Sequence, residues 1–284
     1  MISPHLTGDD LLRDIATAPA DKGCFHLWWL GQSGFLLRWE NRFLLVDPYL
    51  SDSLTEKYAS TDKPHIRMTE LPVQPGQLDF IDLVTSSHNH TDHLDGETLL
   101  PLLSANPGVA LLAPEANRQF VAERLDLDGK TPHGLSSGQE TELAGFCCVG
   151  VPAAHESREL DGEGRDKYMG YIFKFGEWGV YHSGDTIPFD GLVEALAGHR
   201  IDVAILPING RAGGRGVAGN LWGREAADLA GEIGARIVIP CHYDMFSFNT
   251  ATSDEFVHRC HQLDQPYRVL RCAERWSSFE LEGR

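Results

Sequence analysis

Short apolar blocks separated by polar turns recur along the chain, and they predict strands alternating with helices. Phe25 to Leu30, Gly34 to Trp39 and Arg42 to Val46 are rich in aromatic and branched residues and predict three strands joined by tight turns. Ahead of them, Thr7 is placed to cap a short helix over Asp9 to Ala16. Asp47-Pro48 ends the third strand. Ser51 to Gln77 is polar and carries Pro64, Pro72 and Pro75, the pattern of a long loop, and long loops in compact domains are often functional.

Beyond that loop, Ile81 to Thr85 predicts a short strand, Gly108 to Leu112 another, and Glu115 to Leu125 a helix. Two strands are expected over Leu143 to Val151 and a charged loop over His155 to Lys167. Tyr168 to Phe175 and Trp178 to His182 read as a hairpin across Gly176-Glu177. A helix around Leu192 to Ala197 precedes a strand at Val203 to Pro207. Ala226 to Ile233 reads as helix and Arg236 to Pro240 as strand. Thr252-Ser-Asp-Glu255 has the form of a capping box opening a helix to Leu263. Tyr267 to Arg271 and Ser277 to Leu281 are expected as closing strands. No linker-like break divides residues 1–284. The expectation is one α/β (α+β) domain in four layers, αβ/βα, with two mixed sheets face to face and helices outside.

Composition narrows the function. Hydrophobic residues make up 42%, enough to bury a core, and the 41 acidic against 24 basic residues leave a formal charge of −17. Such a surface repels polyphosphate, so nucleic acid is not the expected partner. No apolar run approaches the roughly 20 residues of a membrane span. The N-terminus has no basic segment followed by an apolar one, so no signal peptide is expected. The cysteines at 24, 147, 148, 241, 260 and 272 form no C-x-x-C pair and read as reduced thiols of a cytoplasmic protein.

The segment His88-Asn89-His90-Thr91-Asp92-His93 places four metal-ligand types within six residues at the end of an apolar strand. Imidazole and carboxylate suit Zn, Mn or Fe. His88 and His90, two apart, face the same way in extended chain. Asp92 and His93 follow a turn and can address a second point, which suggests one pair per ion. Three isolated residues, each just past an apolar strand, supply what a dinuclear site lacks: His155, Asp185 and His242. Asp47 is a candidate partner for the far nitrogen of a ligating histidine. Its alternative role is to cap the turn with Pro48. Tyr243 is a candidate donor to a developing oxyanion, or a packed aromatic beside the site. His182 reads as a structural, hydrogen-bonded histidine.

The H-x-H-x-D-H block, the later His, the Ser183-Gly-Asp-Thr186 segment and the Pro240-Cys-His-Tyr243 segment, in that order, resemble the metallo-β-lactamase superfamily. Leu27-Trp-Trp-Leu-Gly-Gln-Ser-Gly34, Val46-Asp-Pro-Tyr-Leu-Ser51, Tyr181-His-Ser-Gly-Asp185 and Val238-Ile-Pro-Cys-His-Tyr-Asp244 look like its L-ascorbate-6-phosphate lactonase group. His88 to Asp95 also looks like N-acylphosphatidylethanolamine phospholipase D. The resemblance implies His88, His90 and His155 on one ion, Asp92, His93 and His242 on the other, and Asp185 bridging. Flavodiiron proteins are similar but carry Glu where this chain has His90, which argues against an iron redox role.

The activity so implied is metal-dependent hydrolysis with two divalent transition-metal ions, Zn or Mn, holding a bridging hydroxide that attacks a carbonyl or phosphoryl centre. Asp92 is expected to steer the proton of the attacking water. The expected substrate is a small, anionic ester, lactone or phosphoester, with a homo-oligomer possible and no nucleic-acid or membrane partner. Arg158, Arg211 and Arg215 are candidate anion contacts. Gly214-Arg-Gly216-Val-Ala-Gly219 fits G-x-G-x-x-G, but without the strand-turn-helix that a dinucleotide site needs it reads as a loop. Rival readings are a lipid phosphodiesterase like the phospholipase, a nuclease, and a non-catalytic metal-binding or sensor protein.

Overall fold

The computed structural model describes residues 1–21, 23–211 and 218–281. The three early apolar blocks form an antiparallel meander, β1 (Phe25–Gly31), β2 (Gly34–Trp39) and β3 (Arg42–Val46). β4 (Leu83–Thr85), β5 (Ala110–Pro114) and β6 (Pro132–Leu135) add to β3 in parallel. A second sheet starts antiparallel with β7 (Glu140–Leu143), β8 (Phe146–Pro152), β9 (Met169–Phe175) and β10 (Trp178–His182). It is completed in parallel by β11 (Val203–Pro207) and β12 (Ile237–Cys241). The last strand, β13 (Arg275–Ser277), returns to the first sheet beside β1. The strand orders are 13-1-2-3-4-5-6 and 12-11-10-9-8-7, so both sheets are mixed.

Residue parity explains the layering, because alternate side chains of a strand point to opposite faces. Leu27, Trp29, Phe35, Leu37, Leu44 and Val46 pack between the sheets against Phe146, Tyr171, Phe173 and Val180. Their neighbours Trp28, Leu30, Leu36 and Leu45 face outward under α1 (Gly8–Thr17), α3 (Gly96–Ala105) and α4 (Arg118–Arg124). The second sheet is covered outside by α5 (Leu192–Leu196), α6 (Gly223–Glu232) and α7 (Asp254–Leu263), through residues such as Leu192, Ala226, Phe256 and Cys260. Sheets buried on both faces account for strands that are apolar at nearly every position. This is the four-layer sandwich expected from the pattern. No described helix is long and apolar enough to cross a membrane.

Several local expectations are corrected. Residues 51–77 include a short helix, α2 (Ser53–Lys57), and a 3-10 turn at Pro75–Gln77. The helix expected over 115–125 begins as a 3-10 turn, Glu115–Asn117. Thr7 makes no side-chain cap. At α7 the N-cap is Ser253, also without a side-chain cap, and the Thr252 hydroxyl instead donates to Asp254 Oδ2 at 3.0 Å. Residues 267–271 make only an isolated bridge, Tyr267 to Val238, and the Glu274 carboxylate accepts from the Arg271 backbone N–H and the Arg268 side chain. Residues 278–281 turn as a 3-10 helix rather than a strand. β6 escapes sequence reading because Pro-His-Gly-Leu has no branched alternation.

Candidate metal centre

The site forms along one rim of the sandwich, where the chain leaves β4, β8, β10 and β12. His88 to His93 follow β4, His155 follows β8, Asp185 follows β10 and His242 follows β12. Strand ends are rigid and the chain beyond them is free to turn, which makes them suitable mounts for converging side chains. Sharp turns do the aiming. Asp47 and His242 have φ of 42° and 63°, and Gly184 has φ 60°. A Cβ on Gly184 would lie 2.5 Å from the Met169 carbonyl oxygen and 2.7 Å from Ser87 Cβ, so the turn before Asp185 requires glycine.

Two ligand groups result: His88 with His90 and His155, and Asp92 with His93, Asp185 and His242, the donor atoms within each lying within 4.8 Å of one another. In the second group His93 Nε2 is 3.7 Å from Asp92 Oδ2 and 3.3 Å from Asp185 Oδ1, and His242 Nε2 is 3.6 Å from Asp92 Oδ2 and 3.3 Å from Asp185 Oδ2. Four ligands about 2.1 Å from one tetrahedral ion would be about 3.4 Å apart, so the set is close to ligating geometry. Asp185 also reaches the first group, with Oδ2 3.6 Å from His155 Nε2.

The far nitrogens are held. His93 Nδ1 donates to Asp47 Oδ2 at 2.7 Å, and His155 Nδ1 donates to the Gly219 carbonyl at 2.9 Å. Asp47 also accepts from the Ser87 backbone N–H at 3.0 Å and from the Ser87 hydroxyl. Both candidate roles of Asp47 are therefore resolved in favour of the histidine loop, which it orients. These bonds turn each Nε2 towards the site. His88 Nε2, His93 Nε2 and Asp185 Oδ1 are buried without a hydrogen-bond partner. Unpaired buried polar atoms are costly, and their clustering here fits a donor set suited to binding cations.

Electrostatics agrees. Burial, reinforced by the neighbouring His93 and His90, holds His88 well below its ordinary pKa, and burial also lowers His155. These two imidazoles are neutral, as ligands must be. In the second group burial opposes ionisation, but the paired charges prevail. Asp185 and Asp92 are held below the usual carboxylate range by His242 and His93, while Asp185 pushes His242 up to about 9 and, with Asp92, raises His93. The carboxylates and imidazoles of this group thus favour one another's charged forms.

The metal-ligand candidates open onto a cleft of about 340 Å³. His90, Asp92, His155, Asp185 and His242 line it, while His88 and His93 lie beneath. Other sequence candidates are not there. Tyr243 packs on Trp29 with ring centroids 4.3 Å apart and its hydroxyl donates to the Leu270 carbonyl, so it is a packed aromatic and not an oxyanion donor. Arg158 is held by Asp166 at 2.5 and 3.0 Å, and Arg211 by Glu225 at 2.6 Å through both arms. Neither lines the cleft. Arg215 and the first two glycines of the 214–219 motif lie outside the described residues. His182 bonds the Ser33 carbonyl at 2.9 Å and the Gly184 N–H at 3.1 Å, a structural role.

Sequence reasoning missed Gln32. Fully buried at the β1–β2 turn with φ 48°, it donates from Nε2 to Asp92 Oδ2 at 2.8 Å and lies 3.0 Å from His242 Nε2. Its backbone carbonyl accepts from the His242 N–H at 2.9 Å. The Gly-Gln-Ser-Gly turn was visible in the sequence, but nothing there showed that it meets a residue 210 positions away.

A family model described as the Beta-lactamase superfamily domain matches residues 26–242, from the start of β1 to the last candidate ligand. The chain belongs to the beta-lactamase superfamily. A UPF0173 metal-dependent hydrolase of Methanosarcina mazei is 28% identical over 232 residues, covering 80% of this chain and 87% of that relative. A UPF0173 metal-dependent hydrolase of Methanoregula boonei is 30% identical over 234 residues, covering 81% of this chain and 87% of its own. Among solved structures, the isothiocyanate hydrolase from Delia radicum gut bacteria superposes with a TM-score of 0.70 at 18% identity, over 88% of this chain and 98% of that one. That likeness is one of fold. Within the superfamily fold, this chain's His and Asp residues sit where two sheets bring four strand ends together.

Proposed function

We propose that the protein is a metal-dependent hydrolase that uses two divalent transition-metal ions, Zn or Mn, to cleave a small anionic ester, lactone or phosphoester. One observation carries this reading: two groups of ligand side chains share Asp185 at the floor of an open cleft. The relatives' names, metal-dependent hydrolases, point the same way. His88, His90 and His155 would hold one ion and Asp92, His93 and His242 the other, with Asp185 between. When bound, the ions would polarise the scissile oxygen and lower the pKa of the attacking water.

The chain's own groups do the rest. Asp47 fixes the tautomer and tilt of His93, and the Gly219 carbonyl does the same for His155. Asp92, in the cleft wall and held by Gln32, is placed to take the proton of the attacking water. Asn89, Thr91 and Asn249 offer polar groups along the cleft. A volume of about 340 Å³ is at the lower end of small-molecule pockets, roughly 300–1,000 Å³. It suits a small molecule better than a two-chain lipid or a polymer.

Assay of lactones, phosphoesters and β-lactams with Zn and with Mn tests the proposal. Turnover of at least one anionic class, abolished by chelation and restored by metal, is expected. Two tightly held ions with no turnover on any class would favour the non-catalytic metal-binding reading instead.

A further inference from the structure

One wall of the cleft is not part of the metal centre. The chain from α2 to His65 folds against Phe246, and Leu54, Tyr58, His65 and Phe246 line the cleft together. The rings form one contiguous cluster. Tyr58 and His65 stack at 4.3 Å and 22°, and His65 meets Phe246 edge-on at 5.1 Å and Phe248 at 4.5 Å. Tyr58 and His65 are only half-buried, and both line the cleft. Asn89 and Thr91 of the histidine loop add polar groups to the same cleft.

The cleft's cations are unequal. Arg124 is committed to structure, with Nη1 donating to the carbonyls of Asn89 and Leu94 at 2.8 and 3.0 Å and the guanidinium over the Phe120 ring. Lys57 is exposed at the rim, its ammonium 5.2 Å from the Tyr58 ring centroid. Among the described residues no carboxylate pairs with it. Arg158 and Arg211 are paired elsewhere, with Asp166 and Glu225.

We propose that this wall is a subsite for a planar, unsaturated or aromatic group, and that Lys57 at its rim receives a carboxylate or similar anion carried on that group. The substrate class is then a small aryl-type anion whose scissile bond lies over Asp92 and Asp185. Aromatic faces favour stacked or edge-on rings over aliphatic chains of equal area. An ammonium at the mouth of an acidic protein selects an anion where the global field repels it. The inference rests on the hydrolytic reading for the position of the scissile bond, but the subsite itself can be tested without turnover.

The test uses zinc-loaded protein and three unreactive probes that share a metal-seeking end: methylphosphonate, phenylphosphonate and 4-carboxyphenylphosphonate, with binding measured by calorimetry. Phenylphosphonate is expected to bind at least about tenfold more tightly than methylphosphonate, and the carboxylated probe a further several-fold. Tyr58→Ala should reduce the phenyl advantage at least about fivefold while leaving methylphosphonate within about twofold. Lys57→Met should remove only the gain from the added carboxylate. Equal affinity for phenyl and methyl probes, or a phenyl advantage unchanged in both Tyr58→Ala and His65→Ala, overturns the subsite, as does failure of every probe to bind. Probe discrimination without turnover of any ester or lactone would support the subsite and count against the hydrolytic reading alone.

Discussion

Asp185 stands between the two ligand groups, its carboxylate within 3.6 Å of His155 and 3.3 Å of both His93 and His242, and the proposed function makes it the bridge. A carboxylate between two dications offsets their repulsion, and the amide of Asp185→Asn keeps its shape without its charge. Hydrolysis of any working substrate should fall at least about 100-fold in that variant, with metal lost from both groups and the circular dichroism unchanged. Near-normal turnover in the folded variant would rule out the bridging role. Gln32 acts on one group only. It holds Asp92 from outside the cleft, so Gln32→Ala should weaken one of two metal affinities about 10–100-fold and spare the other. Stepwise cobalt titration followed by visible absorption separates the two; equal weakening of both ions would indicate general loosening.

Among the elements, the strand-end turns carry the precision. The segment between β10 and Asp185 passes Gly184 in the left-handed region, against Met169 of β9 and Ser87 of the histidine loop. Gly184→Ala must therefore strain the backbone and push these two apart, at a cost of at least about 1–3 kcal/mol. Urea unfolding of the metal-free protein should show that loss, together with weaker metal binding. An unchanged midpoint would mean that the turn relaxes freely. The polar bonds of this rim also explain why the histidine loop needs no regular structure: Asp47, from the end of β3, holds Ser87 and His93 at once.

For the molecule as a whole, metal, protons and stability are linked. His242 is raised from 6.5 to about 9 in the metal-free fold and His93 is raised as well. Both must lose a proton before ligating, so metal uptake should release protons and apparent affinity should climb with pH. The sign is opposite for the metal-free protein. The stabilisation from the His242 imidazolium is complete below 6.5 and disappears as pH rises through about 9. Calorimetry in buffers of different ionisation enthalpy measures the first effect, and urea midpoints of the metal-free protein between pH 6.5 and 9 the second. Elemental analysis should find about two transition-metal ions per chain. Each ion at a hundredfold excess over its Kd adds about 2.7 kcal/mol, so chelation should lower Tm by several degrees. Occupancy by Ca or Mg alone would contradict an imidazole-rich site.

The layered fold was legible because period-two burial and short apolar blocks are local properties: Leu27 and Trp29 against Trp28 and Leu30 already assign the two faces of β1. The seven ligand candidates were legible for a similar reason, since each stands shortly past an apolar strand. What the chain did not disclose were relations between distant segments. Tyr243 adjoins His242 in sequence, yet the left-handed turn at His242 sends the two side chains apart, one to the cleft and one onto Trp29. Arg158 and Arg211 read as free cations until Asp166 and Glu225 appeared beside them. Gln32 and the Tyr58–His65–Phe246 wall carry no motif, because their roles come from tertiary proximity alone. Local chemistry and periodicity are written in the order of residues; which side chain faces the cleft is decided only when turns and sheet packing set direction.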